Sequence, residues 1–430
     1  MKNLFVFICF MFLIHDSYAQ SLLDIYKRGA VKLVPDTEYA QGNQWEKVFE
    51  TYYDATYGNR KSIVLTPDGS VVVNHPGRNF YSLFDANGKF IKEFGNTGSS
   101  GSGRQANKTK AIEGVINNNF FTGLDDLGKM VCFDFNGNFV KTLTLDYMAR
   151  EIIPMANNKI AVAGWALWSD RTRDFVAIVD YQTNEQKIIW DHFTNRSDVG
   201  NRNSSMFNYS YSLEKRSLIS LTTMPYSKST SVSSPPQIAF VNNRLIVALP
   251  HNGEILTYDV NGKLLSKERI EWGRSYISVE EQKEIQKKAI ERIKNSEKLF
   301  HSYPRLSLSP EEIISENKKA REYFIKQMEA DLNKITTPIP IPVFSNIIKD
   351  SDGNLLFFEM PEENGGNKFN VWIYQDGSKF VCQSSFECDD YDLFIAPSKM
   401  VFHNGYIYGL QTLKKADGNP LRLVRLKVGN

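Results

Sequence analysis

The chain has 430 residues, of which 42% are hydrophobic and 13% aromatic, so it can bury a large core. Its 51 lysines and arginines nearly balance 49 aspartates and glutamates, and the formal net charge is only +2. This balance argues against a surface dominated by positive charge, and we expect no nucleic-acid partner.

The first residues have the composition of a secretion signal. A lysine precedes an apolar stretch at residues 4–14 (LFVFICFMFLI) that is too short to span a bilayer comfortably, and small residues then precede Gln20. These features predict a signal peptide at residues 1–19 and a secreted or periplasmic protein. An uncleaved anchor helix is the alternative. No later segment is apolar enough to cross a membrane, so we expect no stable membrane insertion after cleavage.

One short phrase recurs along the chain: an aromatic or aliphatic residue, an acidic or polar residue, a turn, and then apolar residues. It reads FDANGKFIKEF at 84–94, FDFNGNFVKTL at 133–143, VDYQTNEQKII at 179–189, YDVNGKLLSKE at 258–268 and YQDGSKFVCQS at 374–384. Asn-Gly and Asp-Gly between alternating apolar residues predict hairpins with type I′ turns. Hairpins that recur about every 45 residues are typical of β-propeller blades.

A second kind of hairpin precedes each recurring phrase. One more hairpin of this kind, near the end of the chain, has no recurring phrase after it. These hairpins lie at residues 62–74, 111–124, 151–165, 237–250, 346–360 and 399–411, the last followed by an apolar segment at 421–428. Paired with the recurring phrases, they predict an all-β protein, a six-bladed β-propeller at residues 61–430 whose blades each have strands A to D. Seven blades is the runner-up, with residues 195–234 as a degenerate blade.

Two further segments complete the predicted architecture. A propeller has to close its ring, and residues 20–60 contain two candidates for the closing strand, at 31–34 (VKLV) and 45–53 (WEKVFETYY). Residues 278–334 have helical rather than strand patterning, with capping boxes that start at Ser278 and Ser309. We expect a helical hairpin on the rim of the propeller, with a lid or partner-docking element as the alternative.

The units resemble the six-bladed β-propellers of the NHL and TolB-like kind. More narrowly, the chain is similar to secreted six-bladed β-propeller proteins common in Bacteroidota. The resemblance runs from about Trp45 to the end and includes a Gly-rich link at residues 95–103 (GNTGSSGSG) and the helical insertion before IIKDSDGNLLFFEM. That family usually carries Gly-Pro-Gly-Glu in the link, whereas this link has neither Pro nor Glu. Related propellers serve as binding scaffolds, lactonases and lyases, so the resemblance implies a fold more than an activity.

Propeller geometry limits where ligands bind. The B–C and D–A loops surround one mouth of the channel, and this face usually carries ligands. Its candidate ligand-binding residues are Asn74, His75, Arg78, Asp125, Trp165, Trp168, His251, Glu359 and Gln411. Exposed tryptophans can stack on sugars or peptides, although tryptophans in such loops also cover blade edges. We expect Trp165 to be packed and Trp168 to be exposed.

The sequence favours a binding or scaffold protein without catalytic residues or a cofactor, which recognises an unknown glycan, peptide or protein partner. Neither a GxSxG nor an HExxH motif occurs. The alternative is a metal-dependent, lactonase-like hydrolase or lyase with a site in the central channel. Its ligands would come from Asn74, His75, Asp125, His251 and Glu359.

Three cysteines follow the predicted signal peptide: Cys132, Cys382 and Cys388. Export permits disulfides, and a Cys382–Cys388 bridge across a turn is one option, with free thiols as the other. No spacing of cysteines and histidines matches a zinc site.

Overall fold

The computed structural model describes residues 21–40, 62–75, 80–94, 109–116, 119–124, 129–136, 138–145, 147–167, 171–195, 203–212, 217–227, 235–270, 276–295, 309–340, 342–360, 368–377, 379–397, 399–415 and 421–429. The predicted signal peptide and the Gly-rich link at 95–103 lie outside these residues. Among the described residues, none of the helices has the length and apolar composition needed to cross a bilayer.

Strands dominate the described chain, and most of them form four-stranded antiparallel sheets in which consecutive strands pair. The first sheet contains β2 (Ser62–Leu65), β3 (Val71–His75), β4 (Phe80–Phe84) and β5 (Phe90–Phe94). The second contains β6 (Thr109–Ile116), β7 (Asn119–Leu124), β8 (Lys129–Asp134) and β9 (Phe139–Thr144). The third contains β10 (Met148–Pro154), β11 (Lys159–Leu167), β12 (Arg171–Asp180) and β13 (Gln186–Asn195). The next sheet along the chain contains β16 (Gln237–Val241), β17 (Arg244–Leu249), β18 (Glu254–Asp259) and β19 (Leu264–Arg269).

The remaining main strands belong to one larger sheet that joins two such units. One unit contains β22 (Asn346–Lys349), β23 (Leu355–Phe358), β24 (Lys368–Gln375) and β25 (Lys379–Glu387). The other contains β27 (Met400–His403), β28 (Tyr406–Leu413), β29 (Leu421–Gly429) and the N-terminal strand β1 (Ala30–Pro35), with the short β26 (Tyr391–Asp392) beside β28.

The first strands of these units lie side by side in a closed cycle. Strand β2 contacts β6, β6 contacts β10, β10 contacts β16, β16 contacts β22, β22 contacts β27, and β27 contacts β2. A closed cycle of antiparallel sheets that meet at their first strands is a β-propeller. We number the blades by these strands, from blade one (β2) to the blade that begins at β27.

The N-terminal strand closes the ring. Strand β1 pairs antiparallel with β29, with Leu33 opposite Val428, and it also pairs parallel with β25, with Val31 opposite Phe386. Of the two segments that the sequence offered for this position, residues 31–34 lie in β1, whereas residues 45–53 lie outside the described part of the chain. Because β1 bonds to both neighbours, it leaves neither β25 nor β29 as a free edge along this stretch.

Two excursions leave the ring. Before blade four, β14 (Asn203–Ser212) and β15 (Ser217–Ser227) pair only with each other among the described strands, so this region contributes a two-stranded hairpin. Between blades four and five, α2 (Val279–Lys294) and α3 (Pro310–Leu332) pack together between the paired strands β20 (Tyr276–Ile277) and β21 (Ile339–Pro340). Ser278 and Ser309 are the N-caps, and Ser309 forms a complete capping box with Glu312. A short helix, α1 (Leu22–Tyr26), precedes β1.

The Asn-Gly turns of the recurring phrase at 87–88 and 261–262 differ from the predicted type I′ geometry, whereas the Asp-Gly turn of the last copy has it, with positive φ at both Asp376 (53°) and Gly377 (87°). In the first copy, only Gly88 has positive φ (78°), and its N–H donates to the Asp85 carbonyl at 2.9 Å. The Asp85 carboxylate accepts from the backbone N–H groups of Asn87 and Lys89, each at 2.9 Å. The aspartate thus holds a longer turn, because its side chain satisfies donors that a two-residue turn would not leave open. Type I′ angles do occur where Asn242 and Asn243 both have positive φ.

A lysine on the outer strand ties several blades to the next one. Lys92 donates to the Asn136 carbonyl at 3.0 Å, Lys187 donates to the Asn261 carbonyl at 2.8 Å, and Lys141 donates to a carbonyl in the turn of the following blade. Each lysine stands seven positions after the aspartate or its equivalent in the recurring phrase. The repeat therefore encodes contacts between blades as well as the hairpin within each blade.

The three cysteines within the described residues, Cys132, Cys382 and Cys388, are free thiols. Cys382 lies inside β25, and Cys388 immediately follows that strand. Six residues of extended chain span about 20 Å, far more than the separation that a disulfide allows. A Cys382–Cys388 bridge is therefore excluded, because the two residues lie along one strand and not across a turn.

Candidate functional site

The described part of the chain includes only some of the residues that the sequence predicted for the ligand-binding loop face. Arg78, Asp125 and Trp168 lie outside the described residues, and His75 is the last residue of β3. The other five predicted residues fall into two groups. Asn74, Glu359 and Gln411 are engaged in the fold or enclosed by it, whereas Trp165 and His251 belong to a partly accessible cluster.

Glu359 and Gln411 hold neighbouring chain segments in place. The Glu359 carboxylate accepts from the Trp372 indole N–H at 2.6 Å and from the Asn370 amide at 3.0 Å. Gln411 is fully buried, and its carbonyl accepts from the Phe394 backbone N–H at 2.5 Å. These hydrogen bonds give both side chains a structural role.

Asn74 is fully buried in β3, and neither polar atom of its amide has a hydrogen-bond partner in the described structure. Leaving such groups unpaired costs about 1–3 kcal/mol. The burial removes Asn74 from the accessible surface of the loop face.

The accessible cluster lies on blade three and extends to blade four. A bulge in the pairing of β10 with β11 falls at Arg150, between Ala149 and Glu151. Such bulges redirect side chains. The Arg150 guanidinium lies 3.3 Å from an Asp174 carboxylate oxygen and 5.4 Å from the centre of the Trp165 ring. Trp165 is half-buried and stands opposite Asp174 in the sheet.

Two histidines continue the cluster. His192 stands opposite Asp174 on the outer strand β13, and its ring lies 6.1 Å from the ring of His251 in the β17–β18 connection. The two rings are nearly parallel, with an interplanar angle of 25°. The Trp190 ring also stacks on His192, with the ring centres 6.4 Å apart. A continuous row of charged and aromatic side chains therefore runs from Trp165 to His251.

The environment shifts the ionisation of this row. Burial raises the pKa of Asp174, although Arg150 and His192 oppose the rise. Burial lowers the pKa of His251, and the nearby His192 lowers it further. Both shifts favour the neutral forms of these two side chains.

Arg150, Asp174 and His192 were not among the predicted site residues. One sequence signal was available for Asp174, which interrupts the strand pattern immediately before the apolar run FVAIV. Arg150 and His192 had no comparable signal, because a bulge and a neighbouring strand place them beside Asp174.

The described residues contain no group of three His, Cys, Asp or Glu side chains arranged to hold a metal ion. Of the residues considered for a metal in the channel, Asp125 lies outside the described chain, and the Glu359 carboxylate is already bound by two donors.

No family model matches the chain, and no curated protein matches it in sequence. Similar solved structures include a DUF4221 family member from Bacteroides vulgatus (TM-score 0.43, 12% identity, 94% of this chain and 100% of that one). They also include a putative exported protein from Bacteroides fragilis (TM-score 0.42, 7% identity, 87% and 96%). A third is a streptogramin B lyase (TM-score 0.35, 14% identity, 85% and 92%). Likeness at this level carries no argument about function.

Proposed function

We propose that this protein is a six-bladed β-propeller that binds a glycan, peptide or protein partner through its B–C loop face. The single observation that carries the proposal is the row on blades three and four, where Arg150, Trp165 and His251 remain partly accessible beside the buried Asp174. The closed cycle of first strands supports the blade number.

The chemistry of the row suits recognition. Tryptophan and arginine are enriched at binding hot spots, because each contributes a large contact area together with directed hydrogen bonds or stacking. Asp174 fixes one edge of the Arg150 guanidinium, while about a third of the Arg150 side chain stays exposed (35%). An arginine held in this way loses little side-chain entropy when a ligand binds.

Arrays of glycans and of peptides probed with the purified protein test this proposal. We expect Trp165→Ala and Arg150→Ala each to weaken the strongest signal at least tenfold, about 1.4 kcal/mol. Phe139→Ala is the matched control, because Phe139 is an exposed aromatic residue at the start of β9, where the C–D turn of blade two ends. Binding that survives both cluster variants, or that falls equally with Phe139→Ala, would contradict the proposal.

We further propose that the protein is exported and acts in the periplasm or outside the cell. The support is the sequence of residues 1–19, with its early lysine, its apolar stretch and the small residues before Gln20. N-terminal sequencing of the exported protein should start at Gln20. Recovery of the uncut chain in the membrane fraction would instead identify residues 4–14 as part of an anchor.

A further inference from the structure

Three first strands carry a polar residue at the same structural position. Glu151 in β10, Gln237 in β16 and Asn346 in β22 are each followed by a buried isoleucine. The Glu151 and Gln237 side chains hydrogen-bond to the first strand of the next blade, and the Asn346 amide donates to the Ile395 carbonyl before β27. The three residues therefore occupy equivalent places at successive blade boundaries.

Gln237 shows which hydrogen bonds this position can make. Its carbonyl oxygen accepts from the Ile347 backbone N–H at 2.8 Å, and its amide nitrogen donates to the Ser345 carbonyl at 2.6 Å. The side chain thus needs one acceptor and one donor at the same time. An amide has both.

Glu151 makes the first of these bonds in the same way. Its Oε2 accepts from the Ile238 backbone N–H at 3.2 Å, just as Gln237 accepts from Ile347. The counterpart of the Ser345 carbonyl at this boundary is the carbonyl of Pro236, which immediately precedes Gln237. An ionised carboxylate has no proton to offer that carbonyl, whereas a protonated carboxyl group does.

We propose that Glu151 is a pH-sensitive clip between blades three and four, which forms both Gln237-like hydrogen bonds when protonated and loses the donor bond when ionised. The protonated carboxyl group has one hydrogen-bond donor and one acceptor, as an amide does. Ionisation would leave the Glu151 carboxylate and the Pro236 carbonyl at the same blade boundary as two hydrogen-bond acceptors with no proton between them.

The surroundings of Glu151 favour the protonated form. Burial raises the pKa of Glu151 to about 8, and the hydrogen bond from Ile238 only partly opposes this rise. The strands packed against β10 are β6, β7, β11 and β16. Strands β7 and β16 contain no charged residue, and Lys159 in β11 is bonded to Asn261 at the far end of that strand. The charged residues of β6 are Lys110 and Glu113, and on β10 itself Arg150 pairs with Asp174.

The sign of the pH effect follows from this arrangement. The folded chain retains a proton on Glu151 that the unfolded chain releases above its ordinary pKa of about 4.5. The contribution of this proton to stability is therefore fully present below about pH 4.5 and is lost as the pH rises to about 8, where the folded chain itself releases the proton and the clip loses its donor bond. For a single proton, the unfolding equilibrium constant should rise by up to tenfold per pH unit across this window.

Urea unfolding of the full mature chain from about pH 5 to pH 9 tests the clip. Glu151→Gln should reduce the slope of the unfolding free energy against pH by the amount expected for one proton. The variant should be more stable than the natural chain at about pH 9. Gln237→Glu should add a second, similar slope at the next boundary. Glu113→Gln is the control and should leave the slope unchanged. An unchanged slope in Glu151→Gln, or a slope that disappears in Glu113→Gln, would overturn the proposal.

A second measurement does not require the variants to fold. In the natural chain labelled with ¹³C at the glutamate carboxyl groups, one resonance should titrate near pH 8, well above the ordinary glutamate value of about 4.5. If every glutamate resonance titrates below about pH 6, Glu151 is not a protonated clip at neutral pH.

Discussion

Asp36 and Arg425, 389 residues apart in the chain, form an ion pair where the ring closes. One carboxylate oxygen of Asp36 lies 2.9 Å from Nε and 2.8 Å from Nη2 of Arg425, and the Asp36 backbone N–H donates to the Arg425 carbonyl at 2.8 Å. The guanidinium also stacks on the rings of Tyr39 and Tyr406 and donates to the Ala86 carbonyl of blade one. This pair therefore connects the N-terminal segment, the last blade and the first blade.

Breaking the pair should destabilise the closed ring. We expect Arg425→Ala to lower the free energy of unfolding by about 3–5 kcal/mol, because both side chains are mostly buried and Asp36 would keep an unpaired charge. Urea unfolding measures the change. Lys294→Ala is the control, since it removes only an exposed ion pair with Glu329, which solvent and salt screen. Equal effects from the two variants would contradict a special role for ring closure.

The ion pair between Asp36 and Arg425 should make the stability of the protein fall at acidic pH. Burial opposes ionisation of Asp36, but the hydrogen bonds from Arg425 and Glu38 outweigh it and hold the Asp36 pKa below its usual value. Its contribution to stability is therefore present above about pH 4 and is lost as the pH falls through the folded-state pKa. Asp36→Asn should flatten the decline in stability below about pH 4. A decline as steep as that of the natural chain would mean that other carboxylates cause it.

Alanine substitutions at Gly88 and Gly405 separate the cost of a steric clash from the cost of backbone strain. Both have φ of 78°, but a Cβ atom at Gly88 would lie 2.8 Å from Cβ of Ala40, whereas nothing lies within 4 Å at Gly405. We expect Gly405→Ala to cost about 1–2 kcal/mol from strain alone. Gly88→Ala should cost distinctly more, because it pushes the segment after β1 away from blade one. Melting temperatures of the two variants measure the difference, and equal losses would show that the contact with Ala40 is unimportant.

Asn74 should be replaceable with a gain in stability. Because both polar atoms of its buried amide lack a partner among the residues that the structure describes, Asn74→Leu should raise the free energy of unfolding by about 1 kcal/mol or more. Asn354→Leu is the matched control and should be destabilising, since the buried Asn354 amide donates to Asp350 at 2.8 Å. Chemical unfolding of both variants decides the question. A loss of stability in Asn74→Leu would show that the amide has a partner.

The lysine ties between blades should act independently. Lys92→Met and Lys187→Met keep the apolar stem but remove the donor, and each should cost about 0.5–1 kcal/mol. The double variant should lose the sum of the two, because the ties lie at different blade boundaries. Lys326→Met, on the exposed surface of α3, should be nearly neutral. A double variant that loses much more than the sum would indicate that the blades unfold in a coupled way.

Local chemistry made the strands, hairpins and helices predictable. The aspartate of the recurring phrase binds N–H groups two and four positions later in its own turn, as Asp85 and Asp259 do, so the signal and its effect lie within five residues. The same holds for Ser309, whose partner Glu312 is three residues away. The type I′ prediction was confirmed at Asp376–Gly377 but was wrong at the Asn-Gly turns at 87–88 and 261–262. The reason was again local, because the sequence does not show how the aspartate carboxylate satisfies those turns.

Only the tertiary structure decided the contacts that join distant parts of the chain. The sequence offered two closing strands, and the pairing of β1 with both β25 and β29 places residues 31–34 in the ring. From the sequence, Trp165 and His251 were predicted only as separate loop residues. In the structure, Arg150, Asp174 and His192 connect them through a bulge and two neighbouring strands. Periodicity and turn residues act over a few positions, but the partner of a side chain depends on which strands the closed ring brings together. Asp36 and Arg425 therefore carry no signal of their pairing until the ring is formed.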